Sequence, residues 1–218
     1  MEQIYDHFSL ENYINRQKEM GKKIGFAPTM GALHKGHLSL YEIAKSENDI
    51  VISSIFVNPT QFNNASDLQK YPRTIEEDLK ILNNSKVVDV VYIPSIEDIY
   101  PENIESKSYD FGGIEKEMEG AFRIGHFDGV GTVVEKLFLQ VQPDNAYFGE
   151  KDYQQLAIIK KLVEIRNLPI KIIGAPIYRE ENGLAMSSRN ERLSASEKNS
   201  AKIIYETLLK VEDWFRII

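Results

Sequence analysis

Residues 23–38 read Lys23-Ile24-Gly25-Phe26-Ala27-Pro28-Thr29-Met30-Gly31-Ala32-Leu33-His34-Lys35-Gly36-His37-Leu38. Ile24 to Ala27 form a short apolar run that stops at a proline, the pattern of a buried parallel strand. Beyond the loop, Leu40, Ile43 and Ala44 recur at helical spacing, so the stretch reads strand, glycine-containing turn, helix. His34 and His37, three residues apart around Gly36, then sit at a helix N-terminus. Such a terminus leaves N–H groups unpaired and carries positive partial charge, so it draws phosphate oxygens, and a glycine lets the backbone approach them closely. An imidazole there can donate a hydrogen bond to charge building on a phosphoryl group. The plainer alternative is a pair of surface histidines capping a helix. A zinc site is disfavoured, because no third ligand is evident and the chain has no cysteine.

Outward from this stretch, strands and helices alternate. Asp49 to Asn58 is β-branched and nearly all apolar, which fits a central parallel strand, and it ends at the loop Pro59-Thr60-Gln61-Phe62. Thr74 to Asn83 is helical by pattern, with Thr74 as N-cap and Glu77 three residues on. Val87 to Ile93 reads as a strand. Pro94, Pro101, Gly112, Gly113, Gly120 and Gly125 make residues 94–125 an irregular segment of short strands and turns, in which Glu115 to Glu119 reads as a solvated helical face. A helix over 129–140, a strand over 145–149, a helix over 152–166 and a strand over 170–173 follow. Ser194 and Glu197 make a capping box for a last helix over 198–214, with Ile203, Ile204, Leu208 and Leu209 as its apolar stripe. This alternation predicts an α/β, Rossmann-like parallel sheet with helices on both faces. In such sheets ligands bind beyond the carboxyl ends of strands, where the loops after residues 27, 57, 148 and 178 gather.

Those loops carry the remaining chemistry. Gly149-Glu150-Lys151-Asp152 opens a helix, as the first loop does; Lys151 offers a phosphate a point charge and Asp152 can accept from ribose hydroxyls. Met186-Ser187-Ser188-Arg189 brings hydroxyls and a guanidinium that can clamp departing phosphates. Gln61 and Gln155 suit a small polyhydroxy acid, because an amide both gives and accepts hydrogen bonds where a lysine would hold any anion. Gln155 follows Asp152 by three residues, so both can face one cleft.

The 218 residues, 42% hydrophobic, suffice for a sizeable core. A net charge of −7 argues against a general nucleic-acid binder, whose affinity rests on phosphate neutralisation. Met1 to Asn15 has neither a signal peptide nor an apolar span, so a soluble, cytoplasmic protein without membrane partners is expected.

The sequence closely resembles the pantothenate synthetase family, the pantoate–β-alanine ligases of the nucleotidylyltransferase superfamily, which share the HxGH signature with class I aminoacyl-tRNA synthetases. The likeness runs through Pro28 to Gly31 with His34 to His37, Ser54 to Phe62, Tyr71 to Thr74, Gly125 to Val130, Lys136 to Phe138, Phe148 to Leu156 and Glu181 to Asn190. It implies a reaction in which pantoate attacks the α-phosphate of ATP to give pantoyl adenylate and pyrophosphate, and β-alanine then displaces AMP. Mg2+ is implied as an aid to the first step. On the resemblance, Met30, Gly31, Ala32, Leu33, His34, Lys35, Gly36 and His37, with Gly149, Glu150, Lys151, Asp152, Tyr178, Met186, Ser187, Ser188 and Arg189, hold ATP. His37 is implied as proton donor, with His34, Lys151 and Arg189 beside it in catalysis. Gln61, Gln155, Asn58, Arg123 and His126 fall on the substrate side, and a homodimer is implied.

Two departures stand out. Arg123-Ile124-Gly125-His126 stands where the family usually has Arg-Pro-Gly-His, which loosens one turn and keeps the polar groups. Family members also carry a C-terminal domain that closes over the site. Here residues 1–185 read as the nucleotide- and pantoate-binding domain and 186–218 as the beginning of that lid, so ATP binding is expected to survive and ligation to be impaired. Two other readings stay open: another HxGH nucleotidylyltransferase, which would need cations for a phosphorylated substrate, and a non-catalytic nucleotide-binding module.

Overall fold

Six parallel strands run in the order β1-β4-β3-β2-β5-β6 in the computed structural model, which describes residues 1–217. The strands are β1 (Glu2–Ile4), β2 (Ile24–Thr29), β3 (Ile50–Ile55), β4 (Val90–Tyr92), β5 (Asn145–Gly149) and β6 (Lys171–Ala175). Helices α1 (His7–Glu19), α2 (Lys35–Glu47), α3 (Ala65–Lys70), α4 (Ile75–Ser85), α5 (Ile96–Ile99), α6 (Met118–Phe122), α7 (His126–Val141), α8 (Tyr153–Ile165) and α9 (Ala195–Ile217) connect and cover them. Along β3, Ile52 faces a core shared with Leu10, Ile14, Phe138 and Ile159, while Val51 and Ile55 face a second core with Tyr41, Ala44 and Leu82. Both sheet faces are thus dry, which is why the strands read as unbroken apolar runs rather than alternating ones.

The chain moves from β2 outward to β3 and β4, then returns to lay β5 on the other side of β2. This reversal puts a topological switch point between β2 and β5, where a ligand crevice is expected. The ladders open it. β2 pairs with β3 from Ile24 to Thr29, whereas its pairing with β5 ends at Phe26 opposite Ala146. Pro28 lies beyond that last pair, so β2 runs through the proline without losing a bond to β5.

Several expectations need correction. β1 and α1 precede the first expected strand; β1 is a three-residue edge strand with Glu2 and Gln3 exposed, too short to show a pattern. Residues 94–125 contain no strand among the described residues; they form α5, a 3-10 turn over Ile114–Lys116 and α6. The expected solvated face over 115–119 is broken at Glu117, and the segment folds back so that Gly120 is buried against the Glu115 backbone carbonyl. Thr74 precedes α4 as expected but makes no capping bond, its hydroxyl donating instead to Asp78 Oδ2 at 3.2 Å. Ser194 and Glu197 do form the reciprocal bonds of a capping box. The stripe on α9 is exposed, including Ile203, Ile204 and Leu208. Residue 218, the last of the expected second segment, lies outside the described residues.

Candidate active site

The turn after β2 is built around a buried carboxylate. Asp78, 1% exposed, accepts from the Ala32 N–H at 3.0 Å and the Leu33 N–H at 2.7 Å. Gly31 (φ 82°) makes this close approach possible, since a Cβ there would lie 2.9 Å from Asp78 Oδ2 in a left-handed conformation that side chains disfavour. The turn then delivers His34 as N-cap of α2. His34 Nδ1 accepts from the Gly36 N–H at 3.1 Å, and His37 Nδ1 accepts from the His34 N–H at 3.2 Å. An accepting nitrogen bears no proton, so in the neutral ring each Nε2 carries the N–H. The rings stand 4.1 Å apart, centroid to centroid. Burial first, then the charges of His34 and Lys151, push the His37 pKa down to about 3. At neutral pH His37 is therefore an uncharged Nε2–H donor rather than a protonated acid.

His34 and His37 border a cavity of about 260 Å³ at the switch point. Its walls also include Met30 and Gly36 from the first loop, Asn58 and Gln61 from the loop after β3, and Gly149, Lys151, Asp152 and Gln155 from the β5–α8 junction. Tyr178, Met186, Ser187, Ser188 and Arg189 close the far side. Gly31, Ala32 and Leu33 shape the turn without lining the cavity, while Lys35 and Glu150 are exposed at its margin. Lys151 and Arg189 supply two cations against one lining carboxylate, Asp152, whose Oδ1 is 3.1 Å from Lys151 Nζ.

Arg123 and His126 are not among the lining residues. Both donate to the Gln61 backbone carbonyl, His126 from Nδ1 at 2.8 Å and Arg123 from a guanidinium N–H at 3.3 Å. Burial lowers the His126 pKa, so the ring is neutral with its proton on Nδ1. They hold the Gln61 loop from behind.

Sequence reasoning missed three parts of this site. Asp78 sits in an acidic first turn of α4 that looks like ordinary compensation of the helix dipole. Val130, Val133, Val134 and Leu137 of α7 form an apolar wall, where the periodicity indicates only a helix over 129–140. Tyr71, its hydroxyl pKa raised by burial and its ring near Arg189 and Ser188, joins the α3–α4 segment to the 186–189 arm. That arm is anchored by Met186 N–H donating to the Tyr178 carbonyl at 3.0 Å, and by Asn190 Nδ2 donating to Glu180 Oε1 at 2.7 Å.

The chain matches known proteins closely. The profile of the pantoate-beta-alanine ligase family matches residues 3–216. The pantothenate synthetase of Flavobacterium psychrophilum is 54% identical over 209 residues, 94% of this chain and 73% of that protein. That of Aquifex aeolicus is 52% identical over 203 residues, 93% and 71% of the two chains. Among solved structures, the Thermus thermophilus pantothenate synthetase superposes with a TM-score of 0.88 at 44% identity, over 96% of this chain and 74% of that one. The Francisella tularensis pantoate-beta-alanine ligase, solved in complex with beta-gamma ATP and beta-alanine, gives 0.88 at 46% identity, over 94% and 78%.

Proposed function

The chain belongs to the pantoate–β-alanine ligase family, and from that premise we propose how its residues perform the ATP-dependent condensation of pantoate with β-alanine. The pantoate carboxylate attacks the α-phosphorus of ATP; a carboxylate O–P bond forms, the bond to the β-phosphate oxygen breaks and pyrophosphate leaves. The β-alanine amine then attacks the acyl carbon of the pantoyl adenylate, and AMP departs with the acyl C–O electrons. Neither step needs a covalent enzyme intermediate, so positioning and fixed charge supply the catalysis.

One observation carries the assignment: two imidazoles, two cations and two glutamines converge on a single cavity at the switch point. His34 and His37 turn their Nε2–H groups to the α- and β-phosphate oxygens at the N-terminus of α2, where charge grows during transfer. Lys151 offsets the same charge, and Arg189 with Ser187 and Ser188 takes the leaving pyrophosphate. Asp152 accepts from the ribose, and Tyr178 and Met186 flank the base. Gln61 and Gln155 bind the pantoate oxygens, while Val130, Val133 and Val134 receive its two methyl groups.

Mg2+ accompanies the nucleotide. The single lining carboxylate, Asp152, fits an ion held mostly by phosphate oxygens and water, as Mg2+ usually is. Among the described residues no group of three His, Cys, Asp or Glu could hold a metal on its own. On the same reading residues 1–185 bind nucleotide and pantoate, 186–218 begin the lid, and the protein works as a cytoplasmic homodimer; the absence of cysteine suits a reducing compartment. No helix among the described residues is long and apolar enough to cross a membrane.

ATP–pyrophosphate exchange tests the proposal. Exchange is expected only when pantoate is present. Exchange driven by other acceptors would point to a different nucleotidylyl transfer, and nucleotide binding without exchange to a non-catalytic module.

A further inference from the structure

We propose that Tyr100 is a positioning residue for the pantoate site: acting through Asn58 together with Thr60, its hydroxyl holds the end of the Gln61 amide that faces the cavity. The inference rests on the reading of Gln61 as a pantoate ligand.

Tyr100 does not line the cavity. It follows α5, is 4% exposed, and lies behind Asn58. Its hydroxyl donates to Asn58 Oδ1 at 2.7 Å and lies 3.1 Å from Thr60 Oγ1. Burial raises the Tyr100 pKa, so the hydroxyl keeps the proton it donates. Asn58, 1% exposed, also receives on Oδ1 the Thr60 hydroxyl at 3.2 Å and the Thr60 backbone N–H at 3.4 Å. With its oxygen engaged on that side, Nδ2 points the other way and donates to the Gly129 carbonyl and to Gln61 Oε1, each at 3.1 Å.

Asn58 thereby fixes the Gln61 amide. Oε1 is taken by an N–H donor, which leaves Nε2 as the outward end, 3.1 Å from Met30 Sδ at the cavity wall. A carboxylate only accepts hydrogen bonds, so a substrate carboxylate is welcomed by N–H and repelled by C=O. Were the amide reversed, it would present its oxygen to an anion. The two ends of an amide have nearly the same shape, so packing alone does not choose between them. The choice is made by polar partners, and behind Asn58 these are Thr60, the Gly129 carbonyl and a tyrosine outside the site.

Tyr100→Phe isolates this role. It keeps the ring, which packs with Phe56 at 6.5 Å between centroids and lies 5.1 Å from Lys136 Nζ, and removes only the hydroxyl. The expected result is a rise of about threefold to tenfold in the KM for pantoate, the scale of one net hydrogen bond, with the KM for ATP unchanged. In 15N–1H spectra of the nucleotide-free protein, the Gln61 side-chain amide signals, assigned by their loss in Gln61→Leu, should shift. A purely structural role would raise both KM values together or neither, and either outcome overturns the proposal, as do unmoved Gln61 signals. Because the spectrum needs no turnover, a wild-type protein lacking pantoate-dependent exchange would reject the functional reading and leave this chain of bonds separately decided. Asn58→Asp, which puts an oxygen against Gln61 Oε1, should move the same signals and serves if Tyr100→Phe does not fold.

Discussion

At the scale of the residue, the histidines were legible because their spacing and the glycine between them mean something on any helix N-terminus. Their protonation was not legible. The tautomer follows from backbone N–H groups that only the folded turn aims at Nδ1, and the low pKa of His37 follows from burial beside His34 and Lys151. Its consequence for stability has a definite sign. In the unfolded chain His37 titrates near 6.5, in the folded protein near 3. Above 6.5 both states hold a neutral ring. As pH falls from 6.5 toward 3, the unfolded chain binds a proton that the folded one refuses, so stability drains away through that window. Removing the ring as His37→Gln should flatten this part of the curve. Tm values of the nucleotide-free proteins, taken from about pH 8 to about pH 4, should therefore fall more steeply for the wild type; parallel curves would reject the burial of a neutral His37. Asp78 marks the limit of residue-level reading. Its bonds to the Ala32 and Leu33 N–H groups join α4 to a turn far away in sequence, and no local pattern announces that.

At the scale of the element, the strands and helices that build two dry sheet faces were readable, because burial on both sides writes itself into continuous apolar runs and helical stripes. What failed was 94–125, where structure comes from tertiary anchors rather than periodicity. Gln154 of α8, 7% exposed, gives Nε2 to the Ile114 and Glu117 carbonyls and takes the Glu119 N–H, pinning this segment from outside it. The meeting of α7 with the 3-10 turn Pro59–Gln61 is similar. Gly129 is the contact, and a Cβ there would fall 2.5 Å from the Thr60 carbonyl oxygen and 2.8 Å from the Gln61 Cα. Backbone cannot swing aside as a side-chain tip can, so Gly129→Ala must push the turn away from the helix. Overpacking of this kind costs about 1–3 kcal/mol. Because the displaced turn carries Gln61, the KM for pantoate should rise by about an order of magnitude or more, which is about 1.4 kcal/mol per tenfold, while nucleotide affinity changes little. Steady-state kinetics with each substrate varied in turn will check this, and an equal loss for ATP would show that the turn and the nucleotide wall move as one body.

At the scale of the whole molecule, overall charge and local charge oppose one another. The chain carries −7, yet the cavity sets Lys151 and Arg189 against Asp152 alone and adds the N-terminus of α2. Composition argues against a general polyanion binder, but it is silent about a pocket that concentrates a small positive excess. The pocket is assembled from distant stretches, near residues 27–41, 56–61, 71, 130–137, 147–155 and 176–189, which only the folded sheet and its helices bring together. A polyanion that bridges them should therefore stabilise the entire fold. At a free concentration of about 100 Kd a ligand adds about 2.7 kcal/mol, and for a chain of this size each kcal/mol moves Tm by about 2–4 °C. ATP with Mg2+ should then raise the Tm by about 5–10 °C. At the same ATP concentration Lys151→Ala and Arg189→Ala should each lose most of that shift, since each removes half of the lining positive charge. Pantoate alone, bound by amides on one wall, should give a smaller shift in the wild type and an unaltered one in Arg189→Ala. A nucleotide shift that survives both substitutions would mean the triphosphate does not lie between these two arms, and the assignment of Arg189 to the leaving pyrophosphate would fall with it.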